Sequence, residues 1–107
     1  MILERGKSIM TINKIKDGEK LTIAINGRLD TITAPDLDKE VKEGIDGVTE
    51  LVFDMKDLDY ISSAGLRVLL SAQKIMNKKG NMTVTNCADS ILDIFEITGF
   101  SEVLTVV

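Results

Sequence analysis

The apolar run Leu51-Val52-Phe53 is followed by a long helical pattern that closes at Lys78-Lys79-Gly80, and a second strand-like run, Met82 to Thr85, comes next. Strand, helix and strand in that order make neighbouring parallel strands joined by a right-handed crossover. Glu50 to Asp54 is apolar on both faces, which predicts a strand covered on both sides by helices. This limits the chain to the α/β class.

The flanking segments extend the pattern. Ile9 to Ile15 alternates apolar and polar residues, Asp17-Gly18 signals a turn, and Leu21 to Asn26 alternates again, so an antiparallel hairpin is expected. Gly27 breaks the second strand. Thr33-Ala34-Pro35-Asp36 opens a helix with Thr33 as N-cap, Pro35 in the first turn and Asp36 favourable to the dipole. Leu37, Val41 and Ile45 form its apolar stripe, and Gly44 and Gly47 end it. The long helix is expected from about Ala64 to Lys79, stopped by Gly80. Its outer stripe is narrow (Arg67, Ser71, Lys74, Lys78), so it is pressed between sheet and neighbouring helix. A short helix, Ile91 to Ile97, is capped by Asp89 or Ser90 and stopped by Gly99. Val103 to Val107 reads as a last strand. The expected order is β-β-α-β-α-β-α-β, a mixed sheet of four to five strands with helices packed against it.

Composition narrows the function. The 107 residues suit one domain, with 44% hydrophobic and 28% charged residues. Met10-Thr11-Ile12 resembles a second start, so the domain is expected over 10–107, with 1–9 as an extension. The first ten residues carry charges and lack the apolar centre of a signal peptide, and no run spans a bilayer, so a cytoplasmic chain without a membrane partner is expected. Histidine is absent, which excludes His-dependent triads and acid–base work. The lone Cys87 allows no internal disulfide and no zinc site, so neither cofactor nor metal is expected. A net charge of −4 with scattered basic residues argues against nucleic acid. Lys74, Lys78 and Lys79 read as cations at the negative end of a helix. Asp54, Asp57 and Asp59 read as solvated loop carboxylates. Ile32, Leu58 and Tyr60 are either partner contacts or core.

Ser62 and Ser63 fall where that loop becomes the long helix. Unpaired N–H groups and the dipole favour negative charge there. Ser63 therefore fits two roles that are compatible, an N-cap and a phosphate acceptor. Gly65, lacking a side chain, is expected to let a partner approach closely.

Three segments carry a resemblance. They are Gly27-Arg28-Leu29-Asp30, the stretch from Leu51-Val52-Phe53-Asp54 into Tyr60-Ile61-Ser62-Ser63-Ala64-Gly65-Leu66, and Phe95-Glu96-Ile97-Thr98-Gly99-Phe100. In this order and spacing they resemble the STAS domain of small bacterial anti-sigma-factor antagonists. The resemblance implies a STAS fold and a non-enzymatic binding module that works by partner switching. The unphosphorylated form would bind an anti-sigma factor that is also a GHKL-type serine kinase, and so release the sigma factor. Phosphorylation would dissociate the complex, and a serine phosphatase would reset it. The modified serine maps to Ser63. The family aspartate before it falls on Ser62 here, which leaves Ser62 as the alternative acceptor. Asp30 resembles the family's loop aspartate. With Ser62, Ala64, Gly65, Leu66 and Arg67 it forms the expected partner-binding set. The alternative function is a constitutive STAS subunit of a transport or signalling assembly.

Overall fold

The computed structural model describes residues 10–107. The expected extension 1–9, with Ile9 of the first strand, lies outside the described residues. Strand β1 (Met10–Asp17) turns at Gly18, φ +62°, into β2 (Lys20–Leu29). Helix α1 (Ala34–Gly44) leads to β3 (Glu50–Ile61), then α2 (Ser63–Met76), β4 (Asn81–Thr85) and α3 (Asp89–Thr98). The sheet order is β1-β2-β3-β4, antiparallel between β1 and β2 and parallel elsewhere. This is the expected mixed α/β sheet with four strands.

The core lies on one face of the sheet. Leu21, Ile23 and Ile25 of β2, Leu51, Phe53 and Met55 of β3, and Met82 and Val84 of β4 are buried there with Leu37, Leu69 and Phe95. Alternate residues form the other face. Ile15, Thr22, Val52 and Thr83 stand in register across all four strands, and Ile15 is 60% exposed. The expectation that β3 is covered by helices on both sides is therefore corrected. Both crossovers run in the same lateral direction, and a right-handed connection then places both helices on one side. Val52 is half-buried by its cross-strand neighbours rather than by a helix.

Strand β3 is longer than its sequence suggests. It runs on through the region read as a loop, so Asp54, Asp57 and Asp59 are strand residues. Two register shifts explain this. Between the pairs Ala24↔Asp54 and Asn26↔Asp57, β3 carries one residue more than β2, and it gains another between Gly27↔Leu58 and Arg28↔Tyr60. Each extra residue inverts the alternation, so a regular period is not visible. Met55, Leu58 and Ile61 all reach the core by this route. Gly27, with φ +104°, bends β2 at the second shift without ending it.

The helix ends also depart from expectation. Thr33 sits at the N-cap position of α1 but makes no side-chain cap bond. Ala88, not Asp89 or Ser90, precedes α3. Helix α2 ends at Met76 and continues as a turn. Gly80 is needed for space: a Cβ there would stand 1.9 Å from the Thr49 carbonyl oxygen. Lys79 donates to the Ile45 carbonyl at the end of α1, so this cation fastens the neighbouring helix rather than its own. The last strand expected over Val103 to Val107 is reduced to a lone bridge from Val106 to Val84, preceded by a short 3-10 turn, Phe100–Glu102.

Ion pairing joins β1 to α1. Lys14 Nζ lies 2.6 Å from Glu40 Oε1. The hydrogen bond from Lys14, helped by its charge, holds the Glu40 carboxyl below the usual range. Cys87 is half-exposed, and burial pushes its thiol pKa up, away from thiolate reactivity.

Candidate phosphorylation and partner-binding site

The site forms where β2 and β3 end side by side. The Ser62 N–H donates to the Leu29 carbonyl at 2.9 Å, which continues the Leu29↔Ile61 pairing by one bond. The chain then enters α2. Asp30, the residue after Leu29, is thereby set beside the start of that helix.

The two serines have different environments. Ser62 is the N-cap: its extended backbone precedes the helix, and its Oγ accepts from the Gly65 N–H at 3.4 Å. Its carbonyl takes the Leu66 N–H at 2.9 Å. Ser63 is the first helical residue, is exposed, and its hydroxyl makes no hydrogen bond among the described residues. The N-cap role expected of Ser63 thus belongs to Ser62. The donors expected to be free shift accordingly. Gly65 and Leu66 have given theirs to Ser62, and among the described residues nothing accepts from the N–H groups of Ser63 and Ala64.

Helix α2 cannot move easily at this end. A Cβ on Gly65 would meet Leu29 and Ile61 side-chain carbons inside 3.0 Å. Gly65 therefore seats the helix on the sheet, and its bare face points inward instead of toward a partner. Leu66 is 5% exposed and belongs to the core. Of the expected partner-binding residues, Ser62 and Ala64 are half-buried and Arg67 is exposed. A molecule arriving from solvent meets Ser63, Arg67 and the rims of Ser62 and Ala64.

Asp30 organises the loop next door. Its Oδ1 accepts from the N–H groups of Ile32 and Thr33. Thr33, almost fully buried, donates from Oγ1 to the Arg28 carbonyl at 2.7 Å and accepts from the Asp30 N–H at 2.8 Å. That bonding replaces the cap expected of it. The other Asp30 oxygen lies 3.7 Å from Arg28 Nε, and the Arg28 guanidinium stacks 4.1 Å above the Tyr60 ring. Ile32 is 68% exposed at the loop tip, Tyr60 is partly exposed and Leu58 is core.

Sequence reasoning missed the Arg28–Tyr60 stack and a shallow groove of about 360 Å³ between α1 and α2. Ala34, Pro35 and Asp38 line one wall, and Ala64, Arg67 and Val68 the other. The stack follows from cross-strand pairing of Arg28 with Tyr60, which the bulges in β3 conceal. Helix spacing places Ala64, Arg67 and Val68 on one face and so holds half of the groove's signal. No described helix is long and apolar enough to cross a membrane.

Comparison with known proteins bears on the family and the fold. The STAS domain family profile matches residues 11–107. The Bordetella bronchiseptica protein BtrV, named as an anti-sigma factor antagonist, is 35% identical over 99 residues, covering 91% of this chain and 84% of that protein. The anti-sigma-B factor antagonist of Bacillus subtilis is 27% identical over 100 residues, covering 91% of this chain and 92% of that protein. Among solved structures, an anti-sigma factor antagonist from Mycobacterium paratuberculosis superposes with a TM-score of 0.84 at 19% identity, covering 92% of this chain and 85% of that one, a likeness of fold. With the matched profile reaching from β1 to the last residue, the chain belongs to the STAS-domain family of anti-sigma-factor antagonists.

Proposed function

We propose that this protein is an anti-sigma-factor antagonist that acts by partner switching, with Ser63 as the switch. In this reading the unmodified chain binds an anti-sigma factor that is also a GHKL-type serine kinase, and the sigma factor is released. The kinase then phosphorylates Ser63, the complex separates, and a serine phosphatase restores the hydroxyl.

One observation carries the choice of residue: the Ser63 hydroxyl is exposed and, among the described residues, unbonded at the start of a firmly seated helix, whereas the neighbouring Ser62 hydroxyl is half-buried and engaged as the cap. A kinase reaches the first without disturbing the fold, while the second is half-buried with its oxygen already held against the Gly65 N–H. Phosphate adds about −1.5 to −2 charges and three acceptor oxygens. A partner packed on a neutral hydroxyl cannot take that dianion without leaving it desolvated. A penalty of about 3–4 kcal/mol lowers affinity roughly 100- to 1,000-fold, so no change of fold is required.

The test is incubation with the cognate kinase and ATP, with the phosphosite located by mass spectrometry. Phosphate on Ser63, and its loss in Ser63→Ala, are expected. Pull-downs should retain the kinase on Ser63→Ala and lose it on Ser63→Glu. Equal retention by both variants would instead assign the chain to constitutive assembly.

A further inference from the structure

We propose that Arg67 is the built-in partner of a phosphate on Ser63, so that modification withdraws an uncommitted cation from the docking surface as well as adding negative charge. The inference rests on the reading of Ser63 as the modified residue and adds what the modification does to its surroundings.

Ser63 and Arg67 stand four residues apart in α2, and both are exposed. Residues at this spacing are neighbours on one helix face, with Cβ atoms about 5–6 Å apart. The acidic group would lie on the N-terminal side of the basic one, which is the favourable orientation for such a pair. A guanidinium at that distance can donate two N–H bonds to one phosphate.

Arg67 is available for this. Among the described residues it makes no ion pair, hydrogen bond or ring contact. The first turn of α2 carries no acidic residue to compete. Across the groove, Asp38 faces Arg67 but is bonded to Lys42 at 3.0 Å. The other nearby guanidinium, Arg28, is already placed between Asp30 and Tyr60. Before modification, Arg67 therefore borders the groove beside Ala64 and Val68 as a cation free to meet acceptors of a partner. Afterwards it turns back along α2 onto the phosphate. The same event alters the charge of the surface at two places.

The test uses full-length chain carrying phosphoserine at position 63, introduced during translation so that no kinase is needed. The second pKa of the phosphate is followed by phosphorus NMR at low salt in the parent, Arg67→Gln and Arg67→Lys. The parent value should lie about 0.2–0.4 unit below that of Arg67→Gln, with Arg67→Lys restoring most of the difference. At about 1 M salt, where the Debye length is near 3 Å, the difference should largely vanish. Equal values in all three proteins at low salt overturn the pairing. Retention of the anti-sigma kinase by the phosphoserine chain, with the pKa difference intact, would sink partner switching and leave the pairing standing.

Discussion

Gly65 approaches Leu29 so closely that a methyl group on its Cα would lie 2.7 Å from the Leu29 Cγ, with Ile61 Cγ1 at 2.9 Å on the other side. Both obstacles are inner carbons of buried side chains, not flexible tips. Alanine would gain about 1 kcal/mol of helix propensity and lose more to overpacking, which typically costs about 1–3 kcal/mol. Gly65→Ala should therefore be less stable than the parent, by up to about 2 kcal/mol, in urea unfolding. An unchanged midpoint would show that α2 is less tightly seated than described.

The two serines should separate cleanly in a stability measurement. Ser62→Ala removes the N-cap acceptor and should cost about 0.5–1 kcal/mol, near the low end because the bond to Gly65 is long at 3.4 Å. Ser62→Asp keeps an acceptor and adds charge favourable to the dipole, so it should match or exceed the parent. Ser63→Ala removes a hydroxyl that bonds to nothing described and should leave the thermal midpoint almost unmoved. Equal losses at both positions would contradict this division.

Thr33 is a latch between β2 and α1. Thr33→Val preserves shape but strands the Asp30 N–H and the Arg28 carbonyl, both of which the hydroxyl satisfies. Leaving such groups unpaired costs about 1–3 kcal/mol, so a loss of that size is expected by chemical denaturation. Thr33→Ser keeps the hydroxyl and should retain most of the stability. If valine is tolerated as well as serine, the latch carries no weight.

Much of this architecture was legible in the residues. Asp17-Gly18 marked the hairpin, Pro35 the opening of α1 and Gly99 the left-handed end of α3, because each acts through its own backbone. What escaped depends on distant neighbours. The length of β3 was hidden by two inserted residues that break its alternation. The reasons for Gly65 and Gly80 reside largely in Leu29 and Thr49, far away along the chain. The cap was misplaced by one position because two serines stand side by side and only the backbone of Ser62 is extended. Thr33 resembles a cap in the sequence because the path that brings it back to Arg28 at the end of β2, and to Asp30 beyond it, is not revealed there.

The pair Lys14–Glu40 sets an acid response. Glu40 is held below its ordinary value of 4.5 by Lys14. A carboxyl with a lowered folded-state pKa favours folding above its unfolded value, and that contribution disappears as pH falls through the folded one. Lys14→Met should let the Glu40 pKa rise toward its ordinary value in an NMR titration. The parent should be the more stable at neutral pH at low salt, with the gap closing as pH drops below about 4.5. A Glu40 titration indifferent to Lys14 would remove the contact from solution.

Ser62 and Ser63 are chemically alike and adjacent, yet one fastens the coil while its twin faces outward unencumbered. A lineage can therefore exchange the outer hydroxyl for threonine, alanine or aspartate while the architecture stays whole. Signalling in such a molecule can be acquired, frozen or abandoned one codon at a time, with no detour through a misfolded ancestor.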